Sequence, residues 1–410
     1  MIDSNRFRRN IVFFMLVCAG CISYVDRTAL AIANVNIIDD FKISYSNLGI
    51  VLSSFAWVYM LSQIPAGLLA DKFGSRWILF YSFLMWSLAQ FISGISSNIW
   101  YILLGRCILG FGEAPIFLAG TRVIARLFHE DERAVPIGLF NSSASLGQII
   151  APALLSIIVL KWGWHAMFLS LSAVSVIFGG LWLCFYKENT KEQIIKSIPS
   201  SRSSAIQELR FLLLRPSTWV LASGSFGIIY LRWFYAAWLP TYFQSELHYT
   251  VEKAGYLSSI PQIFGFIGGI SGGVLVDRLA RGKYTPLQSC YYPLICSLIS
   301  GSFFTIISPF CGNIILSVIL MSIALFSISV AITSGWTLAI AVADTGSVAT
   351  LEAIQNVGGS LGGAMAPLIS GVVIQSTGSF VYAMLISGLI GGISVIIYMV
   401  GLGNSMTDPQ

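Results

Sequence analysis

The chain has 410 residues, of which 56% are hydrophobic and only 10% charged. A soluble fold carries about 25% charged residues, so this composition excludes a surface that meets water throughout and calls for membrane spans of about 20 residues each. The net charge of +5 is compatible with nucleic acid or with an acidic membrane surface, and the distribution of the charges separates the two.

Twelve apolar stretches follow one another, at 11–36, 47–70, 76–96, 99–126, 134–160, 164–186, 217–243, 254–276, 286–308, 313–337, 347–374 and 379–402. Each is long enough to cross a bilayer as a helix, the one open structure that satisfies its own backbone in lipid. The first carries Arg6, Arg8 and Arg9, an apolar run and Ala31-x-Ala33, the outline of a signal peptide. Asp26 and Arg27 interrupt that run and eleven spans follow, so it reads as an uncleaved first helix. The fold class is therefore an all-α membrane protein of twelve helices.

Assigning the polar breaks alternately from the inside gives the inner set 17 Lys and Arg, from Arg6 to Lys283, and the outer set Lys42, Lys161 and Lys253. The positive-inside rule then puts both termini in the cytoplasm. It also accounts for the basic balance without nucleic acid. The long polar break 187–215 reads as a cytoplasmic linker, with a surface helix near 203–214. It separates a six-helix half, 1–186, from a second, 216–410.

The halves repeat. Gly67-Leu-Leu-Ala-Asp71 recurs as Gly273-Val-Leu-Val-Asp277. Asn141, Ser145-Leu146-Gly147 and Ala151-Pro152 recur 215 residues on as Asn356, Ser360-Leu361-Gly362 and Ala366-Pro367. Both copies fall on helices of the same direction, so the repeat is parallel, as in the major facilitator architecture. Small residues at these positions permit close helix contact.

Charges inside spans are the functional signal. Each costs at least about 2.5–3.5 kcal/mol at the bilayer centre, yet Asp26, Arg27, Arg106, Glu113, Arg232 and Glu352 all lie there. Three acids and three bases suggest pairing. Arg106 and Glu113 are two turns apart on one face, roughly 10 Å along the axis. Desolvation favours the neutral acid and a nearby guanidinium favours the carboxylate. Asp26 and Glu113 are thus candidates for taking up and releasing a proton on a cycle, with a static ion pair as the alternative. Arg232 is a candidate anion contact. Glu352, one turn before Asn356, faces either a cavity or cytoplasmic water. Tyr24, Tyr59, Gln148, Trp336 and Asn356 supply hydroxyl, indole and amide groups within spans, suited to a polar ligand or to helix–helix contact.

Seven scattered cysteines include Cys18-x-x-Cys21, which lies on a membrane-helix pattern and reads as core. His129, His165 and His248 fall far apart in predicted loops, so no metal site is expected. No catalytic motif has its usual spacing, and no Gly-rich loop with Lys is present to bind ATP.

At these residues the chain resembles the anion:cation symporter family of the major facilitator superfamily. Gly67-x-x-x-Asp71-x-x-Gly74-x-Arg76 is similar to the superfamily's loop motif, whose Asp and Arg are held to latch a cytoplasmic gate; Asp277 belongs to a degenerate second copy. Tyr24-x-Asp26-Arg27 resembles the family's first-helix signature, and Arg106 with Gly110, Gly112, Glu113, Ala114 and Pro115 its fourth-helix signature. Glu132-Arg133-Ala134, Trp238-Leu239-Pro240-Thr241-Tyr242 and the stretch from Asn356 to Pro367 continue the likeness. Within that family it resembles bacterial permeases for sugar acids such as galactonate, glucarate and hexuronates. The resemblance implies Asp26 and Glu113 as the protonation pair and Arg106 as the residue that tunes Glu113. It implies Arg27 on the substrate carboxylate, and Tyr24, Tyr59, Gln148, Trp336 and Asn356 around the sugar acid. His165 stands where the family commonly has Arg.

The expected function is a proton-coupled symporter that imports a small organic anion across a bacterial inner membrane, as a monomer, with lipid as its other partner and no cofactor besides the coupling ion. Sodium in place of the proton stays open. An exchanger or exporter of the same fold, or a membrane sensor that does not transport, is the alternative.

Overall fold

The computed structural model describes residues 2–128, 134–187, 210–342 and 348–402, with side chains outside the description at 2–7, 64, 67, 68, 70–72, 134, 135, 348 and 349. Eleven long helices run through the described residues: α1 (Ile2–Phe41), α2 (Tyr45–Gly94), α3 (Ile99–Glu113), α4 (Ile116–Leu127), α5 (Ala134–Phe185), α6 (Pro216–Ser245), α7 (Val251–Ala280), α8 (Pro286–Ile307), α9 (Ile314–Val342), α10 (Val348–Thr377) and α11 (Phe380–Leu402). Among these residues nine segments are long and apolar enough to cross a membrane, and one of them is the 50-residue Pro136–Phe185.

Two glycines reconcile the long helices with bilayer thickness. Gly74 (φ 78°, ψ 160°) breaks α2 and Gly163 (φ 81°, ψ 165°) breaks α5. Both backbones lie in a region that only glycine enters without strain. Each glycine therefore turns one apparent helix into two limbs. Dividing α5, and adding the first limb of α2 and α6 to the apolar segments, brings the described helices to twelve spans. Ser44 caps the start of α2 by accepting from the Asn47 N–H at 3.2 Å, and Asn98 caps α3 by accepting from Trp100 at 3.0 Å. These side chains satisfy orphan donors at the helix starts. Pro115 has no N–H to give, and the fourth span breaks there into α3 and α4, directly after Glu113.

The chain divides into two compact units, Met1–Gln193 with Leu239–Ser259, and Ile194–Trp238 with Ile260–Gln410. In the first, α1 packs on α5, and α2 on α3 and α5. In the second, α8 packs on α9 and α11, and α10 on α9 and α11. The internal repeat has a physical job in each. A Cβ on Gly147 would stand 2.5 Å from the carbonyl oxygen of Cys21, and one on Gly362 would stand 2.1 Å from that of Phe226. These glycines are the two copies in the 215-residue repeat. Each lets a later span press its backbone onto the first span of its own half, α5 on α1 and α10 on α6.

Candidate functional site

The buried charges of the first unit converge. Asp26 and Arg27 ride on α1, Arg106 and Glu113 on α3, and Tyr59 on the first limb of α2. Glu113 is fully buried, Asp26 is 1% exposed and Arg106 5%. Arg27 Nε donates to Glu113 Oε2 at 2.5 Å, and Ser23 Oγ donates to the same oxygen at 3.0 Å. Arg106 donates to the Arg27 carbonyl oxygen at 3.4 Å. Arg106 lies two turns from Glu113 on the same helix and acts on it electrostatically without touching it. The direct ion pair reaches across to Arg27 on α1, and Arg106 also donates to the backbone that carries this partner.

The guanidinium of Arg27 is caged by rings. Its Cζ lies 4.5 Å from the Tyr24 centroid, 4.7 Å from that of Tyr59 and 5.0 Å from that of Phe55. Arg106 approaches Phe55 as well, at 4.8 Å. Phe55 thus stands between two cations, and it stacks on Tyr59 at 5.6 Å. Ring faces attract guanidinium, more strongly where water is excluded. The cage therefore holds Arg27 in place while its outer nitrogens keep their hydrogen-bonding capacity; Nη2 has no partner. Glu113 Oε1 and both carboxyl oxygens of Asp26 are likewise buried without a hydrogen-bond partner. Gln90 donates to the Asp26 backbone carbonyl at 3.5 Å, and Glu113 and Arg106 act on Asp26 electrostatically.

Ser23, Phe55 and Gln90 were not singled out in the sequence. Phe55 and Ser23 have residue types that are ordinary in a span. The available signal was spacing: Phe55 is one turn before Tyr59, and Ser23 is four residues before Arg27 on α1. Gln148 is half-buried on α5. It follows Gly147, whose backbone lies close to the Tyr24 side chain.

In the second unit Arg232 Nη1 donates to Gln262 Oε1 at 2.9 Å. Trp336 on α9 and Asn356 and Glu352 on α10 are half-buried. Asp277 is exposed near the end of α7. Of the loop motif, the side chains of Gly67 and Asp71 lie outside the described residues, as do Glu132 and Arg133. Gly74 makes the turn described above. Arg76 Nη2 donates to the Leu183 carbonyl at 3.0 Å, and the Arg76 carbonyl accepts from Trp182 Nε1 at 3.0 Å. A cation there suits the free carbonyls at the C-terminal end of α5.

Two carboxyls and two guanidiniums are thus held largely away from water in a helical, membrane-spanning chain, one carboxyl in an ion pair and the other not. The family model of the Major Facilitator Superfamily matches residues 16–351, and the chain belongs to that superfamily: it is a multi-pass membrane transporter and not an enzyme. Among its relatives, the "Probable L-galactonate transporter" of Escherichia coli (strain K12) is 30% identical over 419 residues, covering 99% of this chain and 92% of that one. The "Probable galactarate/D-glucarate transporter GarP" of the same strain is 26% identical over 423 residues, covering 97% and 95%. A bacterial homologue of the human lysosomal transporter Spinster, solved inward-facing and unoccupied, shares the fold at a TM-score of 0.80 and 15% identity, over 98% of this chain and 99% of that one.

Proposed function

We propose that this protein is a proton-coupled symporter that imports a sugar acid, of the galactonate, glucarate or hexuronate kind, by alternating access of its two halves, 1–186 and 216–410. The observation that carries the reading is the caged Arg27 in its 2.5 Å pair with Glu113, beside the unpartnered carboxyl of Asp26. Arg27 is the natural anchor for a carboxylate, because its planar fork matches two oxygens. Glu113 already occupies part of that fork. A proton on Glu113 cancels the charge that holds Arg27, so proton uptake and anion binding favour each other. Their reciprocal effect is a coupling free energy. The proton on Asp26 removes the charge of the carboxyl that has no ion pair, which is the costly one to carry through a closed, dry state. Release of the anion on the far side lets Glu113 recapture Arg27 as its proton leaves.

Tyr24, Tyr59, Gln148, Trp336 and Asn356 are assigned to the hydroxyls of the sugar acid, and Arg232 to an anionic group. The loop motif from Gly67 to Arg76, with Asp277 in the second half, is assigned to gating. The distribution of Lys and Arg supports a bacterial inner membrane orientation with both termini in the cytoplasm. The relatives' names support the substrate class.

The test is uptake of labelled L-galactonate, D-glucarate and D-glucuronate into proteoliposomes under an imposed proton gradient, an imposed sodium gradient, or none. Accumulation of one sugar acid under the proton gradient alone is the expected outcome. Accumulation under sodium alone, or movement of none of the three acids, refutes the proposal.

A further inference from the structure

We infer that Gln355 is a positioning residue for substrate recognition, an amide clamp that fixes Asn356 of α10 in register with Trp336 of α9. The inference rests on the proposed function and adds to it a residue that touches no substrate. Gln355 is 3% exposed. Its Nε2 donates to the carbonyl oxygen of Gly335 at 3.1 Å. The donor precedes Asn356 by one residue and the acceptor precedes Trp336 by one. A single side-chain-to-backbone bond thus ties α10, at the residue before Asn356, to the α9 backbone next to Trp336.

Packing alone does not call for glutamine here. The carbonyl oxygen of the Gln355 amide is buried and has no hydrogen-bond partner, and neither has the nearby Ser334 hydroxyl. A buried unpaired acceptor is a standing cost that methionine, of similar length and volume, avoids. What glutamine adds over methionine is the directed bond to Gly335. Helix geometry places successive residues about 100° apart, so an amide that faces α9 leaves Asn356 turned away from that contact while its backbone is held. A shift of about 1 Å in a recognition group is enough to lose much of its effect.

The experiment measures KM and maximal rate for proton-driven uptake of labelled L-galactonate by wild type, Gln355→Met, Asn356→Ala and the double variant, together with the thermal stability of each unliganded protein. The clamp predicts that Gln355→Met raises KM about five- to tenfold, the weakening of about one hydrogen bond between a misplaced Asn356 and the substrate. The maximal rate stays near wild type, and so does unliganded stability, because methionine removes the buried unpaired amide oxygen along with the bond to Gly335. In the Asn356→Ala background the same change leaves KM where Asn356→Ala put it, because the two residues act as one unit. Equal KM increments in both backgrounds overturn the clamp. So does a loss of stability and rate at unchanged KM, the mark of a merely structural residue. If Gln355→Met does not yield folded protein, Gln355→Asn, one methylene too short to reach Gly335, carries the same KM prediction. Wild type that takes up no galactonate fails in its own arm and removes the parent reading and the clamp together.

Discussion

Glu113→Gln is the perturbation that most sharply separates a coupling ion pair from a structural one. Glutamine keeps the shape, and its amide oxygen can still accept from Ser23 and from Arg27. What disappears is the charge in the 2.5 Å contact. Arg27 stays charged, so the amide contact is still a hydrogen bond to a charged group, at the low end of the about 1.5–3 kcal/mol net that such bonds contribute, while the ion pair sits at or above the high end. The variant therefore loosens the hold on Arg27 by about 1–2 kcal/mol. If a substrate carboxylate competes for that guanidinium, affinity in the absence of the Glu113 proton rises by roughly five- to thirtyfold. The gain is greatest at high pH, where wild-type Glu113 is ionised, and shrinks as pH falls and wild type becomes protonated. The assay is equilibrium binding of labelled L-galactonate across pH, paired with counterflow and gradient-driven accumulation in proteoliposomes. Tighter binding at high pH, retained counterflow and lost accumulation are expected. Weaker binding at every pH, or accumulation that survives, refutes the competition of Glu113 and substrate for Arg27.

Phe55→Leu removes the ring between Arg27 and Arg106. At about 0.5–2 kcal/mol per cation–π contact, a several-fold rise in substrate KM is expected in uptake kinetics. Gly163→Ala adds a Cβ that meets nothing within 4 Å, so its cost is purely that of the φ 81° backbone, about 1–3 kcal/mol. A lowered thermal midpoint in detergent checks it. Gly362→Val forces a side chain against the Phe226 carbonyl, where even a Cβ stands at 2.1 Å. Loss of folded protein by size-exclusion chromatography is the expected outcome, whereas Gly138→Val, at a position where an added Cβ meets nothing within 4 Å, folds as wild type does.

The twelve spans were legible because a chain that crosses lipid without closing into a barrel must do so as long apolar helices. Asp26, Arg27, Arg106 and Glu113 were legible for the opposite reason, since a charge in such a stretch needs a purpose. Their pairing was not. Spacing on one helix links Arg106 with Glu113, but the partner of Glu113 depends on how α1 is rotated against α3, and no local pattern records that rotation. Phe55 escaped notice because an aromatic ring in a span looks like core. It becomes part of the site only through the two guanidiniums that flank it. Gly147 and Gly362 show the converse: a weak match of small residues became a specific contact once the backbones they admit were seen.

The central claim is that an anion and a proton share Arg27 and Glu113, and the direct measurement is proton movement itself. Proteoliposomes carrying an internal pH dye, with no imposed gradient, receive external L-galactonate. The account predicts acidification of the interior that follows sugar-acid entry and is absent in Glu113→Gln. Galactonate entry with no change in internal pH in wild type contradicts it.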